Sequence, residues 1–96
     1  MAYARKIVLH CPNGYEMKLD ALVEDFIRDE VIFVGVVGKD CSKVEDIIDE
    51  LVVGTGERDY SLLTSSHPNE TVEEVVEFAK SLSLEFEGQE VQVVEL

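Results

Sequence analysis

Two hydrophobic periods alternate along this sequence, and no other feature limits its folding options as tightly. Residues 6–11 (KIVLHC) form a short apolar run with β-branched side chains, which reads as a strand. Leu19, Leu22, Val23, Phe26 and Ile27 then recur at i, i+3, i+4, i+7 and i+8, the stripe that an amphipathic helix turns toward a core. Residues 31–37 (VIFVGVV) are almost wholly apolar, the habit of a strand buried on both faces of a parallel sheet. Val44, Ile47, Ile48, Leu51 and Val52 repeat the helical stripe, and residues 60–64 (YSLLT) suggest a third strand. Val72, Val75, Val76, Ala79 and Leu82 mark a third helix, and residues 90–95 (EVQVVE) close the series with a more polar strand.

The order βαβαβαβ predicts an α/β domain with a four-stranded, mainly parallel sheet, because parallel neighbours need crossover connections and helices supply them. The expected architecture is flavodoxin- or Rossmann-like, with strand order 2-1-3-4 preferred and 3-2-1-4 as the alternative. The 96 residues make one such domain, with no linker or repeat between elements. Ser42-Lys43-Val44-Glu45 and Thr71-Val72-Glu73-Glu74 each fit a capping box, in which the first side chain and the fourth satisfy free N–H groups reciprocally. Gly54 and Gly56 offer a left-handed stop after the second stripe. Residues 65–70 read as a polar loop, and the alternation in residues 84–88 (LEFEG) admits a short extra strand.

Charge narrows the partners. Twenty-one acidic residues against 8 basic ones give a formal net charge of −13. This balance argues against nucleic acid as a partner, since phosphate binding needs clustered Lys and Arg, and against docking on anionic membrane surfaces. No run approaches the ~20 apolar residues of a membrane span, and residues 7–9 are too short a core for a signal peptide. A cytoplasmic protein is therefore expected. Cys11 and Cys41, the two cysteines, lack close spacing and are expected as reduced thiols, with a bridge between them as the alternative.

Ligands of open α/β sheets bind beyond the carboxyl ends of the strands. That rule selects three loops, residues 10–14, 38–42 and 64–69. Both histidines and both cysteines of the chain fall in these loops, whereas the opposite loops around residues 29–30, 54–59 and 85–89 hold neither type. Cys41 precedes a predicted helix start, where free N–H groups favour a thiolate, and Lys39 and Lys43 push the same way while Asp40 opposes them. One reading makes Cys41 a nucleophile, His67 its base and Asp40 their companion; the other makes Cys41 a small apolar plug and His67 a loop histidine fixed by Pro68. His10 reads as a structural histidine at a strand end. An anion site is a further reading. Lys18, Lys39 and Lys43 gather near the predicted mouth, where Ser42, Ser65, Ser66 and Asn13 offer hydroxyl and amide groups. GVVGKDCS is not a phosphate-binding loop and no GxGxxG is present, so nucleotide binding has no motif and no cofactor is expected. Cys11, Cys41 and His67 lack the closely spaced pairs typical of zinc ligands, and no metal is expected.

Gly38-Lys39-Asp40-Cys41-Ser42, continuing to Glu45-Asp46 and Asp49, resembles a pattern in small bacterial proteins of unknown function, where a D-C-S turn opens an acidic helix. Their T-[ST]-x-H turn before an E-x-[LV]-E-E-V-x-x-F-A-K helix is similar to Thr64-Ser65-Ser66-His67 and to Glu70-Thr71-Val72-Glu73-Glu74-Val75 through Phe78-Ala79-Lys80. This chain departs from the pattern at Val44 and Ser66, where Trp is usual, and Cys11 lies outside it. The resemblance implies that Asp40, Cys41 and His67 form a recurring set, and it assigns no activity.

Glu24, Asp25, Asp29, Asp46, Asp49, Glu50, Glu73, Glu74 and Glu77 fall off the apolar stripes of the three helices. Asp46/Glu50 and Glu73/Glu77 are like-charge i,i+4 pairs, each costing a few tenths of a kcal/mol. The sequence therefore points to an acidic binding module, monomeric or homodimeric, that engages a basic protein or a small anion. The alternative is a small enzyme using Cys41 and His67.

Overall fold

Why the chain folds as it does is clearest from its two central strands. In the computed structural model, which describes residues 3–54, 62–82 and 90–96, β1 (Lys6–Cys11) and β2 (Phe33–Gly38) are buried along nearly their whole length. Their apolar sequences leave no face for water, so both must lie inside a sheet covered on both sides. The remaining elements are α1 (Lys18–Arg28), α2 (Cys41–Gly54), β3 (Leu63–His67), α3 (Val72–Ser81) and β4 (Val91–Glu95).

All pairings are parallel and the strand order is β3-β2-β1-β4. The α/β expectation with four strands and three helices holds. The preferred order 2-1-3-4 does not, and 3-2-1-4 is what forms. The reason is polarity. Order 2-1-3-4 would place β3 inside the sheet, yet its LTSSH sequence carries hydroxyls on both faces and a half-exposed leucine. An edge is where such a strand fits.

Alternation along the strands sorts the core into two layers. Ile7, Leu9 and Cys11 join Val34 and Val36 beneath α1 and α2, with Leu19, Val23, Phe26, Val44 and Ile48 contributed by the helices. Val8, Phe33 and Val37 meet Val75 and Ala79 of α3 on the other face. Gly35, in the middle of β2, keeps that second layer thin: a Cβ there would lie 3.1 Å from both Phe33 and Val75.

The helix ends follow the expected signals in part. At α3 the capping box forms as read, with the Thr71 Oγ1 accepting from Glu74 N–H at 3.1 Å and the Glu74 carboxylate accepting from Thr71 N–H at 2.8 Å. At α2 it does not. The helix starts at Cys41, one residue before the expected cap, after Asp40 adopts a left-handed φ of 54°. Ser42 and Glu45 instead turn their side chains to β3. The third strand is also displaced, occupying residues 63–67 where 60–64 were expected and absorbing half of the predicted polar loop. Gly56, Tyr60 and the 84–88 segment lie outside the described residues. Among those described, no helix is long and apolar enough to cross a membrane.

Candidate functional site

Three loops crown the carboxyl ends of β1, β2 and β3, as the fold rule requires. The first two are tied through one carbonyl. Cys11 O accepts from Lys39 N–H at 2.9 Å and from Gly14 N–H at 3.4 Å. Gly38 makes this approach possible: its φ is 119°, and a Cβ there would stand 2.5 Å from Cys11 O. Gly14, with φ 75°, turns back toward Asp40, whose Oδ2 lies 3.3 Å from the place a Gly14 Cβ would take. The mouth between these loops therefore holds a carboxylate, with Asn13 and Lys39 exposed around it.

The cysteines sit below this mouth. Cys11 and Cys41 are free thiols, and both belong to the apolar layer under α1 and α2. Burial pushes the Cys11 thiol up to about 11 from its ordinary 9.0, and the neighbouring Cys41 and Glu16 push it the same way. Cys11 is thus protonated at neutral pH and shielded from solvent, and Cys41 shares its burial.

His67 lies elsewhere. It pairs in register with Val37, so its side chain points to the α3 layer, where its ring meets Phe78 edge-on at 4.9 Å. Cys41 belongs to the opposite layer. The fold thus separates the nucleophile and base that the sequence suggested as a pair, and the Cys11, Cys41 and His67 ligand set is divided in the same way. Among the described residues, no group of three or more His, Cys, Asp or Glu side chains could hold a metal ion.

What His67 does contact is more specific. Ser65, two residues earlier on the same strand face, places its Oγ 2.7 Å from His67 Nε2. Glu70, at the mouth of α3, places Oε2 3.3 Å from Nδ1. An ionised carboxylate only accepts, so this geometry favours the proton on Nδ1 and leaves Nε2 to accept from the serine. His10, the other histidine, stands with Nδ1 3.5 Å from Glu95 Oε2 across the β1–β4 pair.

The opposite face of β3 carries a second polar set. Ser42, Glu45 and Asp49 form one stripe of α2, and they meet Ser66 and Thr64. Ser42 Oγ and Ser66 Oγ are 3.2 Å apart. Thr64 Oγ1 lies 2.9 Å from Glu45 Oε2 and 2.8 Å from Asp49 Oδ1. A hydroxyl has one proton to give, so two carboxylates share a single donor here.

The residues expected to hold an anion thus divide among three places. Ser42 and Ser66 face each other beneath α2, Ser65 is engaged by His67, and Asn13, Lys39 and Lys43 remain at the exposed rim. Sequence reading missed Thr64, Glu70, Phe78 and the Glu45/Asp49 convergence. The readable signal was period-two spacing in Ser65-x-His67 matched by the i, i+3, i+7 stripe of polar residues on α2.

No curated protein matches this chain, and no solved structure matches it. The model of the family described as Domain of unknown function (DUF7684) matches residues 4–95, and on that span the chain belongs to this family of small domains.

Proposed function

We propose that this chain is an acidic binding module of the cytoplasm, acting as a monomer or homodimer, that engages a basic protein partner along the edge formed by α2 and β3. The convergence of Glu45 and Asp49 on one Thr64 hydroxyl carries the reading. Two carboxylates with one donor between them gain from an incoming Lys or Arg, whose several N–H groups would satisfy both. The wider surface acts in the same sense. Lys6 is buried at the end of α3, while Arg28, Lys18 and Lys80 already lie beside Asp25, Glu16 and Glu77. A net charge of −13 then steers a basic partner from a distance, more strongly at low salt. An adaptor or neutralising role suits such a surface.

A small anion is the weaker occupant, because the Asp40 carboxylate stands beside Gly14 in the mouth that the exposed Lys39 borders. Nothing in the geometry favours the Cys41/His67 enzyme. Affinity capture from the native host tests the binding reading, comparing wild type with a Glu45→Gln, Asp49→Asn double variant. The expected result is a stoichiometric basic protein held at low salt, released at high salt and not retained by the variant. Retention of nothing, or equal and salt-independent retention by both proteins, refutes it.

A further inference from the structure

On the α3 side of β3, we infer that Ser65, His67 and Glu70 form a nucleophilic-serine site acting on uncharged or cationic esters with a short apolar acyl group. Three groups stand in the order that activates a hydroxyl: Ser65 Oγ 2.7 Å from His67 Nε2, and His67 Nδ1 3.3 Å from Glu70 Oε2. The imidazole is held in place, because its ring is 8% exposed and packs against Phe78 at 4.9 Å. The backbone contributes the next part. Leu63 N–H donates to Ile32 O of the segment leading into β2, so by strand alternation the N–H groups of residues 63, 65 and 67 face β2 and that of Ser66 faces the open edge. The residue after the nucleophile thereby offers an outward N–H donor for a developing oxyanion.

Apolar surface flanks the serine on the same side. Leu63 is 50% exposed and Phe78 39% exposed, and α3, which packs over β1, β2 and β4, reaches this edge through Phe78. An acyl chain lying between Leu63 and Phe78 would place its carbonyl near Ser65. The acidic surface repels anionic esters, which sets the charge preference. In the reaction, Ser65 Oγ forms a bond to the carbonyl carbon as its proton passes to His67 Nε2. The ester C–O bond then breaks, and the leaving alkoxide takes that proton. Water, deprotonated by the same nitrogen, then bonds to the acyl carbon, the acyl–Oγ bond breaks, and His67 returns the proton to Ser65 Oγ as the acid leaves. Glu70 touches no reacting atom and is a positioning residue. This site and the acidic α2 edge lie on opposite faces of β3, so either stands without the other.

The test combines a fluorophosphonate probe with p-nitrophenyl butyrate hydrolysis on the full chain. Wild type should be labelled on the peptide containing Ser65 and should release a burst of p-nitrophenolate. Ser65→Ala should lose both. His67→Gln should slow acylation roughly 10²- to 10⁴-fold, the range for a general base. Glu70→Gln should lower kcat and leave KM in place, which loss of a merely structural contact would not do. No label on wild type, equal label on Ser65→Ala, or label scattered over other serines overturns the inference. If His67→Gln unfolds by circular dichroism, Ser65→Ala and the surface change Glu70→Gln still decide it.

Discussion

Replacing Lys6 by Met tests the least ordinary contact in the fold. Lys6 is 3% exposed, and its Nζ donates to Ala79 O at 2.9 Å and to Leu82 O at 3.0 Å, at the carboxyl end of α3. Partial negative charge collects at such an end, and the ammonium answers it from a neighbouring strand. Methionine keeps an apolar stem of similar length and removes every donor. Hydrogen bonds to a charged group contribute roughly 1.5–3 kcal/mol each, and the variant loses two. That range is already net of the water stripped from the ammonium on burial. Ala79 O keeps the Leu82 N–H at 3.3 Å, which holds the cost to the low end of the two-bond range. The net loss is about 3 kcal/mol, which lowers Tm by roughly 15 °C in a domain of this size. Urea titration followed by circular dichroism measures it, and amide exchange should show the loosening confined to the last turn of α3. A Lys6→Met protein as stable as wild type, or more so, would show that desolvation outweighs the two carbonyl contacts, and the reasoning would fail.

Three further outcomes follow from the same structure. Gly38→Ala places a Cβ 2.5 Å from Cys11 O at φ 119°, so it should cost more than roughly 3 kcal/mol and reduce soluble expression; a wild-type urea midpoint would contradict this. The raised Cys11 thiol makes the folded state the better proton holder, so its contribution is fully present below the unfolded value of 9.0 and is lost as pH climbs through about 11. The shift is worth roughly 3 kcal/mol at most, and the alkaline fall in urea midpoint should be shallower in Cys11→Ala; an identical fall would refute the assignment. Asp49→Asn relieves the i,i+4 repulsion with Glu45 and should stabilise by a few tenths of a kcal/mol at low salt, an effect that should vanish in thermal melts at high salt.

Much of the fold was legible because its strongest periods are local. β1 appears at residues 6–11 as read, and the α3 capping box forms from the residues that announced it. β3 forms at Leu63–His67 and not at residues 60–64, because the apolar signal of Leu62 and Leu63 marks only the start of a strand that is otherwise polar. Its α2-facing side chains, Thr64 and Ser66, are satisfied by Ser42, Glu45 and Asp49 of α2, a pairing that no hydropathy window detects. The same polarity marked β3 as an edge, so the strand order was more readable than the preference for 2-1-3-4 allowed. The candidate site shows the sharper limit. His67 carried a base-like signal, but its partner depended on which sheet face it occupied. Once residues 65–67 are a strand, Ser65 is the neighbour and Cys41 lies across the sheet.

The parallel pairing of β1 with β4 has a kinetic consequence. It joins Lys6 to Val91, so the sheet closes only after nearly all of the described chain has been threaded through its crossovers, a slow step in folding. Until then one side of β1 presents bare N–H and C=O groups beside Ile7, Val8 and Leu9, a surface on which another unfinished chain can template. Every such intermediate carries the same charge of −13, and mutual repulsion keeps two of them from meeting for as long as closure takes. The acidity proposed to draw a basic partner to the finished domain also guards the unfinished one.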